Sequence, residues 1–282
     1  MLEPITTPAG LALDVTEARQ HVKQDVDFDD VLLFGMIASA TEAAESETER
    51  TLLARRWRLR LDAFPGPALL GVPYGKPYTL PPHAIVLPRY PVQAVESIQY
   101  LAMSGELVTL DPAWYVVDYS APCCRITPVF GRVWPVPLPQ IGAVRVNFTA
   151  GHLTPVEVDG DVLTPECWQP LAVGDEVRFS VSGGAGASLP APLKPGKTYL
   201  VQALATGGGI RVSDPASPSS ALELTTQGVG TIYLGALPAA VKSWMLLRID
   251  SLYAHRGEVA TVSIAPMPYA DRLLDPWRVG QF

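Results

Sequence analysis

The chain has 282 residues, enough to bury one large core or two smaller ones. At 48% hydrophobic and 17% charged it is too apolar for a disordered chain, and 28 prolines with 23 glycines in no fixed period predict many turns between short strands. A net charge of −7 argues against nucleic acid as the main partner, because phosphate binding needs clustered Lys and Arg.

Asp14, with Glu17 three residues on, approximates a capping box and predicts a short helix to about Lys23. "DVDFDD" then offers N-caps for a longer helix over about 28–50. On it Leu33, Met36, Ile37, Ala40 and Ala44 share one face, and Glu42, Glu45 and Glu49 the other. Ala38, Ser39, Ala40, Ala43 and Ala44 are small enough for a second helix to approach closely.

From Leu53 the period changes to two. "RRWRLRLDAF" sets Trp57, Leu59 and Leu61 on one face and Arg56, Arg58 and Arg60 on the other. "HAIVLP", "AVESIQYL", "LVTL", "WYVVD", "CRIT" and "AVRVNFT" are further strands, with turns at "SGE" and "DPAW". In "AVRVNF" the alternation is clean: Val144, Val146 and Phe148 oppose Arg145 and Asn147. The sequon Asn147-Phe148-Thr149 therefore reads as strand sequence.

Residues 153–235 shift to Gly, Ser, Thr and Pro, with short strands "EVRFSV", "KTYLVQAL", "GIRVS", "ALEL" and "GTIYL". That spacing predicts a small sandwich or barrel. Pro238 then suits the first turn of a helix to about Arg256. Val241, Trp244, Met245, Ile249 and Leu252 form its apolar stripe, broadened by Leu246, Leu247 and Tyr253. A helix so apolar is either deeply buried or touches a second molecule. The strand ending at Phe148 and this helix would join directly without the piece between them, so 153–235 reads as an inserted domain whose ends lie close together. The expected fold is α+β: an N-terminal helix pair, an antiparallel β middle section and a C-terminal helix in a discontinuous domain (1–152 and 236–282), plus the inserted all-β domain (153–235).

Motifs for chemistry are sparse. "KPGKT" resembles the end of a phosphate-binding loop, but Ala191 stands where a glycine is needed and a strand follows where a helix should. Gly183, Gly184 and Gly186 read as a flexible loop. Cys123, Cys124 and Cys167 are odd in number, with one vicinal pair and no CxxC spacing, which suits a reducing compartment. His21, His83, His152 and His255 are scattered, and no GxSxG nucleophile motif occurs. Acids such as Asp27, Asp29, Asp30 and Glu45, Glu47, Glu49 sit at helix starts and on solvent faces, where caps and solubility explain them. No signal peptide or membrane-spanning run of ~18 apolar residues is expected. No cofactor or metal is called for. The Arg56/Arg58/Arg60 row has two readings: a solvated strand face, or a contact with an acidic surface such as the Glu45–Glu49 face of a neighbouring copy.

In order, "VTEARQHVKQDVDFDDVLLFGMIASATEAAE", "LARRWRLRLDAFP", "IVLPRYPVQAVESIQYL", "LDPAWYVVD", "RITPVFGRVWP", "AVRVNFTAGH", "LPAAVKSWMLLRIDSLYAHRGE" and "YADRLLDPWRVG" resemble head–tail adaptor (connector) proteins of long-tailed bacteriophages. The resemblance covers 1 to ~152 and ~236 to 282, and departs at the insertion, since typical members pass almost directly from "TAG" to "LPAAVK". It implies a non-enzymatic virion protein made in the host cytoplasm. Such a protein forms a ring, typically of twelve copies, beneath the portal protein. It lines part of the DNA channel without sequence-specific binding and meets a tail-side neck or stopper protein. No membrane is involved. Trp244 and Leu247 are then candidates for core or assembly, and Trp277 and Phe282 either anchor in a portal groove or pack back onto their own subunit. The alternatives are a glycan- or host-surface-binding β-module and an enzyme built around His152 or His255.

Overall fold

The computed structural model describes residues 1–8, 10–24, 29–66, 83–119, 124–166, 171–184, 186–255, 270 and 272–278. It divides into two compact units, one made of Met1–Thr7 and Arg55–Gly151, the other of Pro8–Ala54 and His152–Arg278. Among the described residues the secondary structure is mixed: three α-helices, antiparallel sheets and one closed barrel.

The described part of the first unit is built on two antiparallel sheets with one short 3-10 turn, Pro112–Trp114. Its larger sheet has the order β1 (Leu2–Pro4), β2 (Arg55–Leu61), β8 (Val144–Ala150), β4 (Val92–Leu101), β5 (Leu107–Thr109). Its smaller sheet runs β3 (Ile85–Leu87), β7 (Cys124–Pro128), β6 (Tyr115–Asp118). The alternation read in "AVRVNF" is present: Val144, Val146 and Phe148 are fully buried. Register pairs Trp57 with Phe148 and Leu59 with Val146, so large apolar groups meet across the strands. Ile85, Leu87, Cys124 and Ile126 of the small sheet join the same core. Strand β1, which no periodicity announces, pairs Leu2 with Leu59 and Pro4 with Trp57. A proline is tolerated there because β1 is an edge.

The second unit combines helices α1 (Val15–His21), α2 (Asp30–Thr48) and α3 (Ala239–Ala254) with the barrel. Leu33, Ile37, Ala40 and Ala44 of α2 are fully buried, as are Val241, Met245 and Ile249 of α3. The small Ala40 and Ala44 let α2 and α3 pack together. Asp14 occupies the N-cap position of α1, but its side chain makes no cap hydrogen bond, so the capping box does not form.

The barrel strands are β9 (Thr154–Asp159), β10 (Val162–Pro165), β11 (Glu176–Ser182), β12 (Thr198–Leu204), β13 (Ile210–Ser213) and β14 (Thr231–Leu234). They close in the order β10-β13-β12-β11-β14-β9 and leave no free edge. Leu163, Phe179, Tyr199, Val201, Ile210, Val212, Ile232 and Leu234 fill the interior. "KPGKT" is a turn into β12, with Gly196 at φ +76 and Lys197 N–H donating to Lys194 C=O. "ALEL" is not a strand: only an isolated bridge from Ala221 to Ser213 forms.

The barrel falls in the same compact unit as the helices. Two residues explain the grouping. On β14, Ile232 and Leu234 point into the barrel and Tyr233 points out, where it joins the helical core with Leu153. Leu153 also bridges to Leu53, and Ala54 N–H donates to its carbonyl at 2.9 Å. Removing 153–235 therefore takes two side chains out of the helical core. The Tyr233 hydroxyl meets Ser182 and Thr231, and burial pushes its pKa up. Leu11 N–H donates to Ser182 Oγ at 3.3 Å, tying the chain before α1 to the barrel.

Gly10 precedes that tie in the left-handed region, φ +72, and any Cβ there would clash with the Tyr233 hydroxyl. Gly10→Ala is expected to cost about 2 kcal/mol. Its thermal midpoint should drop by several degrees, and Gly10→Ala with Tyr233→Phe should lose less than the two single variants added together.

Candidate assembly interface

The pairing of β2 with β8 sets Arg56, Arg58 and Arg60 opposite Thr149, Asn147 and Arg145, on the face turned away from the core. Arg56 grips Glu96, with Nε 2.8 and 2.9 Å from the two carboxylate oxygens and a further bond through Nη2. Thr149 Oγ1 donates to the same carboxylate at 2.8 Å. Burial acts to raise the Glu96 pKa, but these hydrogen bonds and the Arg56 charge outweigh it and hold the group below its ordinary value. Arg58 Nε donates to Asn147 Oδ1 at 2.8 Å, and its Nη1 reaches Glu3 at 3.4 Å. Arg60 Nε donates to Glu3 at 3.0 Å. The arginine row thus has internal counter-ions, Glu3 and Glu96. Arg145, directly opposite Arg60, differs: its Nε is buried with no hydrogen-bond partner.

On the helical side Trp244 is 7% exposed within the core, and Leu247 is half-buried. The apolar stripe of α3 is accounted for largely by burial in its own unit. Helix α2 carries the exposed apolar surface instead: Val31 is 85% exposed, and Leu32 and Phe34 are 39%. The signal was in the sequence, since four consecutive apolar residues, Val31 to Phe34, cannot share one face of a helix that turns 100° per residue. Glu42, Glu47 and Glu49 are exposed, but Glu45 is not on a solvent face. It is 8% exposed, and its Oε1 accepts the Leu52 N–H at 2.7 Å.

Trp277 is half-buried and contacts Arg50 and His152 of the same chain. Arg50 Nε donates to its carbonyl at 2.6 Å, and the Arg50 guanidinium lies 5.2 Å over its ring. The His152 ring meets it edge-on at 6.4 Å. Leu274, one turn earlier, is fully buried. Phe282, Cys123, Cys167 and Trp168 lie outside the described residues. Tyr199 and Tyr233 are each 1% exposed, so neither supplies a glycan-stacking platform. Among the described residues no group of His, Cys, Asp or Glu is placed to hold a metal ion, and no helix is long and apolar enough to cross a membrane.

His152 Nε2 is buried without a hydrogen-bond partner. Burial, with the Arg50 charge second, lowers its pKa from 6.5 to about 3. The folded state therefore favours the neutral ring. That contribution is complete above the unfolded value of 6.5 and is lost as pH falls towards 3. Urea unfolding across this window is expected to show a slope about 1.4 kcal/mol per pH unit steeper than in His152→Phe, in which the proton cannot bind. Equal slopes would remove His152 from the acid response.

No family description and no curated protein matches the sequence. Solved structures do. The chain is similar to one from the neck of an empty gene transfer agent particle computed with C6 symmetry (TM-score 0.55), one from the virion of a native gene transfer agent particle (0.53) and one from a native neck computed with C12 symmetry (0.51). Identity is 19% in each case, over 100% of this chain and 97% of the neighbour. The likeness spans the barrel as well as the helices and sheets, and agrees with the head–tail adaptor resemblance: the chain has the fold of a component found in the neck of gene transfer agent particles.

Proposed function

We propose that the protein is a structural virion component, a head-to-tail adaptor that assembles as a ring of twelve copies beneath a portal protein. The ring forms part of the channel through which DNA passes, without sequence-specific binding, and its other side meets a tail-side neck or stopper protein. The role is architectural, not enzymatic. The barrel, 153–235, is an inserted domain carried on the outside of the ring. The observation that carries this reading is the whole-chain likeness to neck components of gene transfer agent particles. The C6 and C12 symmetries of those necks are both compatible with twelve copies about an axis.

Each copy in a closed ring needs two different complementary surfaces. The arginine-bearing sheet face and the exposed face of α2 differ in chemistry, as such an arrangement requires. The overall charge of −7 favours a channel that repels rather than retains the DNA backbone.

Immunogold electron microscopy of intact particles, with antibody raised against 154–234, is expected to label the neck alone. Label only after dissociation would keep the adaptor and place the barrel inside. Absence of the protein from particles would overturn the reading.

A further inference from the structure

The arginine face has an unanswered charge. Arg60 and Arg145 stand directly opposite each other on β2 and β8, where like charges are destabilising. Glu3 binds Arg60 and Arg58, and Glu96 binds Arg56. Asp62, at the end of β2, is engaged with the Gly142 N–H at 2.8 Å. Among the described residues nothing accepts from the buried Arg145 Nε, and a carboxylate brought from outside would offset the charge of the Arg60–Arg145 pair.

The same sheet face changes character across its width. Gln99 lies opposite Arg145, and two residues on, Leu101 lies opposite Leu107 of the edge strand β5. Leu107 is 42% exposed. From β2 to β5 the surface thus passes from arginine to leucine across three strand spacings, about 14 Å.

Helix α2 carries the matching gradient. Val31, Gly35, Ala38 and Glu42 follow at intervals of four, three and four residues, forming one exposed stripe. Val31 and Glu42 are eleven residues apart, about 16 Å along the axis. Gly35 and Ala38 between them are small enough for a sheet to approach. Among the described residues Glu42 has no ion pair, whereas Glu47 is held by Arg278 at 3.0 Å.

We propose that the exposed stripe of α2 from one copy docks on the arginine-to-leucine face of the five-stranded sheet of a second copy, placing Glu42 at the Arg60–Arg145 pair and Val31 at Leu107. The contact uses two different surfaces, so it propagates from copy to copy and is the ring interface. It rests on the adaptor reading above.

The test is self-association of the full chain, measured by sedimentation velocity over a range of concentrations. Arg145→Glu and Glu42→Arg are each expected to weaken association at least tenfold. Carrying both in one chain is expected to restore it, because every copy supplies both faces. Arg145→Gln, gentler on the sheet, should weaken it less, and Val31→Asp should weaken it with no rescue by Arg145→Glu. Single variants that associate like wild type would overturn the interface. So would a charge swap that fails to restore association in a folded chain, or a wild-type chain that stays monomeric at every concentration. Neck label in immunogold together with any of these failures would reject this interface and leave the adaptor reading standing.

Discussion

The strict alternation of β8 governs the first unit. With Val144, Val146 and Phe148 committed to the core, Arg145, Asn147 and Thr149 have to emerge on the opposite face, and the register of β2 sends Arg56, Arg58 and Arg60 out beside them. A one-residue slip of β8 would bury Arg145 and expose Phe148, and one of β2 would bury Arg56, Arg58 and Arg60. The hydrophobic gain on one face therefore enforces charge crowding on the other. Glu3, reached only because β1 pairs along β2, and Glu96 answer most of that crowding. The polar surface is a consequence of the core.

In the second unit the comparable link is Tyr233. Its ring belongs to the helical core, while its neighbours on β14 belong to the barrel. A closed barrel needs no outside support for its hydrogen bonds, so its attachment comes from this outward side chain and from Leu11 bonding to Ser182.

Elements whose faces are set by local periodicity were legible. Strands β2, β4, β8 and the inward faces of α2 and α3 follow from the spacing of their apolar residues. Strand β1 escaped because three residues carry no period, and β9 because Pro155 interrupts a short run. Glu45 was placed on the solvent face by helical spacing, but its burial depends on the Leu52 amide beyond the helix end. The packing of Trp277 against Arg50 joins groups 227 residues apart, which no local pattern reports. The arginine row drew notice in the sequence. On the neighbouring strand Arg145, whose Nε has no hydrogen-bond partner among the described residues, stands opposite Arg60, which only the register brings into view.

The first and last strands of the barrel, β9 and β14, are hydrogen-bonded neighbours, with Thr154 beside Leu234 and Pro155 beside Tyr233. The chain thus leaves the barrel where it entered. Mechanical tension along the backbone crosses this junction through that one strand pair and bypasses the other four strands of the closed ring. Where force reaches the polypeptide, the barrel is shielded from it as long as the β9–β14 seam holds.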